Sequence, residues 1–429
     1  YLSEKKYLNG PDALMLKSDV AYSFSYITAI LELRGCMARG ELEKVVRETV
    51  LVHDRMRSLV RTRQVLFMYW EELKHVPLEN MVLLESKRTT RGELQAFVSE
   101  RSVEQLPEHL PLWRIYYFSD YDDGSGAPAS AMVFRFSHCL ADGISAMKML
   151  MSSTPLTRPA VTKKGPKAVP PPPSVWERVH GLGSAVYELL LSPPDTTSLL
   201  KPGVHITQET ERRVAWSNVA GVTVGDIKRS TKEGGEGLTV NDVLMGALGG
   251  ALRRYLLHRG ASVPSHLRAA MWISLRGIDI YDGKVDLGNE ITAISIPLLA
   301  NVPDGKDRVR AMHNQIARLR HSLLGHLALG MFYVIGNAPA PLAARMMRLG
   351  DKYTASASCV PGPREAINFG PCPIERMAFF VPPGNDLHLF VCILTYNNNI
   401  SICFATDATA IPDPERLVSN FSEELASLL

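Results

Sequence analysis

The sequence predicts an α/β protein that is divided into two domains. In both halves of the chain, apolar runs of strand length alternate with helix-length apolar patterns, which is typical of α/β folds. The length of 429 residues exceeds the roughly 250–300 residues at which a single hydrophobic core usually stops growing. A change in composition near the middle of the chain marks a division between two such cores.

The segment between the predicted domains is rich in proline. Residues 170–173 are four consecutive prolines, and lysines and further prolines precede them. Consecutive prolines favour an extended, semi-rigid chain. We therefore predict an N-terminal domain over residues 1–154, a linker with a connecting helix over 155–205, and a C-terminal domain over 206–429.

Helix and strand patterns are clearest in a few segments. The strongest helix prediction covers residues 240–258, where apolar side chains recur with a period of 3.6. Thr239 and Asp242 have the spacing of a capping box, and Gly260 is a stop signal. The predicted strands are residues 113–118, 131–137, 269–273, 292–298, 387–396 and 400–405.

Composition and charge narrow the function classes. Hydrophobic residues make up 46% of the chain and charged residues 21%, which is the balance of a folded globular protein. The 47 basic and 44 acidic residues leave a net charge of +3, and the basic residues are scattered. Because nucleic-acid binding needs a clustered positive surface, we do not expect nucleic acid as a partner.

The cysteines argue against a metal centre. Six cysteines are widely spaced, and no CxxC pair is present. Zinc and redox sites need closely spaced ligands or thiols. We expect free thiols in a reducing compartment and no metal.

One long apolar run, residues 327–343, raises the question of a membrane. It is short for a membrane span and contains Asn337, Pro339 and Pro341, which disfavour a spanning helix. Two alternatives remain open, a helix packed on the core and a segment that lies on a membrane surface. The chain begins at Tyr1 and not at Met, which leaves room for a preceding targeting or anchor segment.

His138 is the strongest catalytic candidate. Residues 131–137 read as a buried strand and Gly143 begins a helical pattern, so that His138 lies at a strand end. Side chains at strand ends project into clefts, where a neutral imidazole can take a proton from a hydroxyl group. Asp142 follows at a turn, and Gly143 is expected to give the backbone freedom for a sharp bend. The spacing alone also fits a histidine in an ordinary turn.

Several motifs resolve this choice, because together they resemble one family. His138–Gly143 matches the HxxxDG signature of the CoA-dependent acyltransferase superfamily, and six further segments occur in the order of the wax ester synthase/diacylglycerol acyltransferase family. These segments are Pro-Leu-Trp at 111–113, Thr-Val-Asn-Asp-Val at 239–243, Ser-Leu-Arg at 274–276, Leu-Gly-Asn at 287–289, Val-Pro-Gly-Pro at 360–363 and the C-terminal stretch 410–417.

The resemblance implies a fold and an activity. The fold would comprise two chloramphenicol-acetyltransferase-like domains with mixed sheets, related pseudo-symmetrically, with an active-site tunnel at their interface. His138 would deprotonate an alcohol that attacks acyl-CoA directly, and no prosthetic group would be needed. The acceptor would be a fatty alcohol or a diacylglycerol. Two alternatives remain, another alcohol or an amine as acceptor, and a lipid-binding relative without catalysis.

The resemblance also assigns supporting residues around His138. Asp142 would be a structural brace rather than a catalyst, with Arg276 as its partner. Many members have two adjacent histidines, and here Ser137 occupies the first position. We expect Ser137 to change local hydrogen bonding or substrate preference without abolishing activity.

Further residues have two interpretations each. Asn241, at the start of the predicted helix, either stabilises an oxyanion or only organises the helix turn. Pro361 and Gly362 are expected to form a rigid turn near the tunnel. Trp113 is either a core residue or part of the substrate channel. By analogy with the family, we expect an intracellular protein on a membrane or lipid-droplet surface.

Overall fold

A computed structural model describes residues 6–19, 26–63, 67–152, 187–207, 209–276, 280–320, 324–384 and 386–429. The predicted Pro-rich linker lies mostly outside these residues. Of the connecting helix predicted near its end, only a π-helical turn at Tyr187–Leu191 belongs to the described part of the chain.

The strands are numbered along the chain. They are β1 Tyr26–Arg34, β2 Ser58–Arg63, β3 Phe67–Glu72, β4 Val82–Glu85, β5 Thr89–Thr90, β6 Trp113–Phe118, β7 Tyr121–Asp122, β8 Ala129–Ser137, β9 Arg212–Asn218, β10 Arg268–Ser274, β11 Ile291–Pro297, β12 Ala355–Pro361, β13 Asn368–Phe369, β14 Cys372–Phe380, β15 Leu389–Tyr396 and β16 Asn399–Asp407.

The α-helices are numbered in the same way, and two 3-10 turns, Asp54–Arg57 and Arg348–Lys352, lie among them. They are α1 Gly10–Ser18, α2 Arg39–Thr49, α3 Leu78–Met81, α4 Arg91–Arg101, α5 Gly143–Met151, α6 Val224–Glu233, α7 Val240–His258, α8 Gly305–Arg320, α9 Leu324–Asn337, α10 Ala340–Met347 and α11 Pro414–Ser427.

Two six-stranded mixed sheets form the centre of the molecule. The first has the strand order β13-β14-β1-β8-β6-β4 and the second β11-β10-β12-β15-β16-β9. In the first sheet β6 pairs antiparallel with β8 and parallel with β4, and in the second β10 pairs antiparallel with β11 and parallel with β12. The prediction of an α/β fold with mixed sheets is therefore confirmed.

The two sheets do not follow the predicted domain division completely. Strand β14 comes from the C-terminal half but pairs antiparallel with β1, from Thr28 opposite Phe380 to Leu33 opposite Ile374. The first sheet is therefore completed by a hairpin, β13–β14, from within residues 206–429. The domain boundaries themselves stay a prediction.

Strand β8 is buried on both faces, which explains its mostly apolar sequence. Phe134 and Phe136 point into one core with Trp113, whereas Val133 on the other face packs in a core that includes Trp216 of the second sheet. A strand covered on both sides favours apolar residues on both faces instead of an alternating pattern.

Helix α7 agrees with its predicted bounds, 240–258. The Thr239 side chain accepts a hydrogen bond from the backbone of Asp242, and the Asp242 side chain accepts one from the backbone of Thr239. This reciprocal capping box satisfies backbone donors at the helix start. It fixes the point at which Asn241 enters the helix.

The apolar run at 327–343 forms parts of α9 and α10, which are separated near Pro339. In the described part of the chain, every helix is too short or too polar to cross a membrane. The outer surface of the α9–α10 hairpin exposes Tyr333, Val334 and Leu342.

Candidate active site

His138 follows β8 directly and lies in the short loop before α5. The loop ends at Asp142, which is the N-cap of α5 and accepts a hydrogen bond from the Ser145 backbone N–H at 2.8 Å. Since the strand and the helix cap hold the loop at both ends, the position of the His138 backbone is fixed.

The Asp142 carboxylate is fully buried and turned toward the segment 276–290. Arg276 Nε donates to Asp142 Oδ2 at 3.2 Å, and the backbone N–H of Glu290 donates to the same oxygen at 3.1 Å. The Asp142 backbone N–H also donates to the carbonyl of Gly288 at 3.1 Å. The two residues that the sequence analysis paired are thus in contact, and they join the His138 loop to the second sheet's β10–β11 connection.

The His138 side chain has a second set of neighbours. Its Nδ1 lies 2.8 Å from Asn289 Oδ1, and Asn289 Nδ2 donates to the His138 carbonyl at 2.6 Å and to Asp12 Oδ1 at 2.9 Å. Arg55 Nη1 donates to the other Asp12 oxygen at 2.6 Å. A series of hydrogen bonds therefore runs from Arg55 through Asp12 and Asn289 to the imidazole ring.

Sequence reasoning noticed Asn289 only as part of a motif and missed Asp12 and Arg55. Asp12 lies 277 residues from Asn289, on helix α1, and Arg55 lies in the 3-10 turn at 54–57. The local pattern around either residue carries no signal for a site. One clue points to Asp12 as a site residue: it is a charged residue in α1, a helix that is almost completely buried.

Gly288 allows this arrangement to close around Arg55. Its backbone φ is +133°, a conformation that residues with side chains rarely adopt. A Cβ atom at this position would lie 2.9 Å from Arg55 Nη2. Glycine is therefore required both by the backbone and by the guanidinium group beside it.

Burial lowers the pKa of His138 below its ordinary value. The nearby charges of Asp142 and Asp12 and the hydrogen bond to Asn289 oppose this shift but are outweighed by desolvation. His138 is consequently neutral at pH 7, which is the form that accepts a proton. Burial also raises the pKa of Asp12, although Arg55 and Asn289 oppose that shift.

A cavity of about 900 Å³ includes His138 in its wall. Its lining is mostly apolar and comes from both sheets, with Ile27 and Phe379 on the first and Met271 and Phe390 on the second. The volume is at the upper end of the range for small-molecule sites. Among the described residues, no cluster of side chains suits a metal ion.

The predicted site residues Gly143, Asn241, Pro361 and Gly362 line the same cavity. Asn241 is therefore brought into one space with His138. The neighbouring residue Asp242 is buried. Its Oδ2 atom accepts a hydrogen bond from the Thr239 backbone N–H and lies 2.8 Å from His313 Nδ1.

Of its two interpretations, Trp113 fits the core one. Among the described residues it is absent from the cavity lining, and its indole N–H donates to the Met56 carbonyl at 2.6 Å within the core. The role expected of Gly143 is wrong. Gly143 does not have a positive φ, and its small size instead leaves room for Val360, 3.4 Å from where a Cβ would be. Ser137 is fully buried outside the lining, and its hydroxyl donates to Asp19 at 2.9 Å.

Two cations line one part of the cavity. Lys228 is on α6, and Arg364 follows the end of β12 at Pro361. The expected turn does not begin at Pro361, which pairs with Thr395 of β15. The start of α6 and the segment 362–364 meet at residues 397–398, where Val224 N–H donates to the Asn398 carbonyl and Asn397 N–H donates to the Pro363 carbonyl. Both cations therefore belong to the same end of the cavity.

Two family models match the sequence. The wax ester synthase/diacylglycerol acyltransferase catalytic domain matches residues 8–232, and the C-terminal domain of the same family matches residues 287–429. Three motifs meet around His138. The motif at 138–143 lies within the first matched segment, the motif at 287–289 lies within the second, and the motif at 274–276 lies between the two segments.

Individual relatives and solved structures agree. A putative diacylglycerol O-acyltransferase of Mycobacterium bovis is 25% identical over 403 residues, with 84% of this chain and 77% of the relative covered. A wax ester synthase/diacylglycerol acyltransferase from Marinobacter aquaeolei has a similar fold, with a TM-score of 0.68 at 18% identity over 99% of this chain and 98% of that chain. The first condensation domain of the calcium-dependent antibiotic synthetase matches with a TM-score of 0.65 at 14% identity over 100% and 97%.

Proposed function

The chain belongs to the wax ester synthase/diacylglycerol acyltransferase family, and from that membership we propose that it transfers a long-chain acyl group from acyl-CoA to a fatty alcohol, a diacylglycerol or both. The observation that carries the proposal is His138 in the wall of a mostly apolar cavity of about 900 Å³. Such a cavity suits alkyl chains, and His138 is neutral there because burial lowers its pKa.

The proposed reaction has His138 act as base and then as acid. His138 takes the proton of the acceptor hydroxyl while the alcohol oxygen attacks the thioester carbonyl carbon. The tetrahedral intermediate then loses the CoA thiolate as the carbon–sulfur bond breaks. The imidazolium returns its proton to that sulfur, which gives an ester and free CoA.

Two further groups have proposed roles in this reaction. Asn241 at the start of α7 would donate to the oxyanion of the intermediate, in a cavity where a preorganised donor is effective. Asp142 would hold the His138 loop through Arg276 and would not contact the substrate. Since Ser137 is buried, its effect on substrate preference would be indirect.

The cationic end of the cavity is the proposed site of the CoA phosphates. Lys228 and Arg364 are both exposed at their side chains while they line the cavity. Exposed cations can bind phosphate groups from solvent while the acyl chain occupies the apolar part.

The α9–α10 hairpin is the proposed contact with a membrane or lipid droplet. Its exposed Tyr333, Val334 and Leu342 lie on the same two helices as Phe332 and Met346, which line the cavity. An apolar outer face of this kind suits shallow insertion among lipids. Lipid acceptors would then enter the cavity from the hairpin side.

Labelled palmitoyl-CoA tests the proposal, with purified protein and either hexadecanol or dioleoylglycerol as acceptor. We expect labelled ester with at least one lipid acceptor and none with the His138→Ala variant. Equal ester formation by both proteins would contradict the role of His138. Product only with a short alcohol, an isoprenoid alcohol or an amine would contradict the lipid acceptor, and no product with any acceptor would favour a non-catalytic lipid-binding protein.

A further inference from the structure

We propose that Asn289 is a positioning residue that fixes the ring tautomer of His138, and that Asp12, held by Arg55, keeps Asn289 in the orientation that this requires. The inference rests on the proposed function, because it assigns a task to these residues in preparing the base. None of the three residues would contact the substrate.

The orientation of the Asn289 amide is set by its neighbours. Its Nδ2 lies 2.9 Å from Asp12 Oδ1 and 2.6 Å from the His138 carbonyl oxygen, and both of these atoms can only accept while Asp12 is ionised. A flipped amide would place its oxygen against these two oxygens. The amide nitrogen therefore uses both of its hydrogens here, and the amide oxygen is directed to His138 Nδ1 at 2.8 Å.

This orientation leaves one tautomer for the neutral imidazole. Since an amide oxygen only accepts hydrogen bonds, His138 Nδ1 must carry the hydrogen and donate it. The lone pair is then on Nε2, which is the nitrogen that can accept a proton from a substrate. The His138 backbone carbonyl also accepts from the ring of the same residue and favours the same tautomer. Asn289 adds a second acceptor at Nδ1, and without it a larger fraction of the neutral rings would carry hydrogen on Nε2 and would be inactive as a base.

Asp12 is held firmly enough to direct Asn289. It is fully buried on α1 and accepts from the Asn289 backbone N–H at 2.9 Å in addition to the side chain. Arg55 forms an ion pair with its other oxygen at 2.6 Å. Helix α1 is in turn anchored on α9, because the buried Lys17 ammonium donates to the carbonyls of Gly336 and Ala338 at 2.6 and 2.7 Å.

Charged groups on several elements surround His138, and a substitution at Asn289 changes the pKa of His138 in their presence. Asp12 belongs to α1, Arg55 to the 3-10 turn at 54–57, Asp142 to the cap of α5, and Arg276 follows β10. Asn289→Asp would add a carboxylate beside Nδ1 and stabilise the imidazolium. Asn289→Leu would remove a hydrogen bond that raises the pKa of His138.

Steady-state kinetics with these two variants provide the first test. We expect kcat to fall on the order of 10- to 100-fold in both, with KM for palmitoyl-CoA changed less than about threefold. The acidic limb of the kcat/KM profile should move to higher pH in Asn289→Asp and to lower pH in Asn289→Leu. Asn420→Asp and Asn420→Leu are matched controls, because Asn420 is a buried asparagine on α11 outside the cavity lining.

Nitrogen NMR of histidine-labelled protein provides the second test and needs no turnover. The signal of His138 among the 12 histidines is identified by its loss in His138→Gln. We expect the Nδ1–H tautomer in the unsubstituted protein and a mixture of tautomers in Asn289→Leu. If that variant does not fold, Asp12→Leu gives the same comparison, because it releases the Asn289 amide. Asn289→Asp is expected to keep the Nδ1–H tautomer, since a carboxylate also only accepts hydrogen bonds.

The outcomes separate this inference from the proposed function. An Nε2–H tautomer in the unsubstituted protein, or an unchanged tautomer and pH limb in Asn289→Leu, would overturn it. Absence of ester with every acceptor would remove the proposed function, while the tautomer measurement would still decide whether Asn289 sets the ring. Equal shifts of the pH limb in the Asn289 and Asn420 pairs would mean a merely structural role.

Discussion

Arg276 Nε donates to Asp142 Oδ2 at 3.2 Å, and the Asp142 side chain has no exposed surface. The second oxygen of Asp142 caps α5 through Ser145. One carboxylate thus connects the end of β8 to the β10–β11 connection of the other sheet. The geometry of His138 depends on a contact between the two sheets and not on its own loop alone.

We expect Asp142→Ala to destabilise the protein by about 3–5 kcal/mol, because it leaves the Arg276 guanidinium without its buried partner. Urea unfolding measures the change. Arg88→Ala removes an exposed pair with Asp122 and should cost less than about 1 kcal/mol. A loss for Asp142→Ala no larger than for Arg88→Ala would contradict the brace.

The pH dependence of kcat/KM should have its acidic limb below the ordinary pKa of histidine. Only neutral His138 can act as base, and burial lowers its pKa. Activity at pH 6.5 should therefore still exceed half of its value at pH 7.5, and it should fall at lower pH. An acidic limb above pH 7 would mean that a different group titrates or that His138 is more stable as imidazolium.

Replacement of Asn241 distinguishes its two interpretations. If its side chain donates to an oxyanion, Asn241→Leu should lower kcat on the order of 100- to 1,000-fold without a comparable loss of stability. Thr239→Ala is the control, since it weakens the cap of the same helix by about 1 kcal/mol. Similar kinetics for both variants would favour a role in the helix turn only.

The cationic end of the cavity should affect one substrate selectively. Lys228→Ala with Arg364→Ala should raise KM for palmitoyl-CoA about tenfold and leave KM for hexadecanol unchanged, with a smaller difference at high salt. Lys232→Ala serves as the control, because this exposed lysine is on α6 but does not line the cavity. An equal effect of the control would indicate a general surface charge effect.

The α9–α10 hairpin should be required for binding to lipid. We expect the double variant Val334→Ser with Leu342→Ser to cosediment at least severalfold less with phosphatidylcholine/phosphatidylglycerol vesicles. The reason is that these two apolar residues are 67% and 50% exposed. Leu257→Ser, an equally exposed leucine on α7, should have no effect. Unchanged binding by the double variant would exclude this surface.

Sequence patterns predicted the elements that depend on local signals. Helix α7 has a capping box and a continuous period, and β8 is apolar at most positions because both faces are buried. Strand β14 escaped notice because Glu375 and Arg376 interrupt its apolar sequence. Glu375 pairs with the exposed Arg34, and Arg376 pairs with the buried Glu32. Its position beside β1 depends on a partner that periodicity cannot identify.

The site was predictable to the same extent. His138, Asp142 and Arg276 occur in motifs, and their contact required only that the motifs meet. Asp12 and Arg55 act through contacts to residues that are distant in sequence, and no spacing rule connects them with position 289. Trp113 shows that a motif residue can be a core residue, which was one of its two interpretations, because its indole N–H donates to a backbone carbonyl within the core.

The pairing of β14 with β1 has a consequence for biosynthesis. The ion pair between Arg376 and Glu32 on these strands connects residues 344 positions apart. While the ribosome is still translating the second half, one edge of β1 has no partner strand and can attract other chains. The first half therefore cannot complete its sheet until nearly the whole polypeptide has been synthesised. Premature termination would yield an aggregation-prone fragment instead of an independent domain.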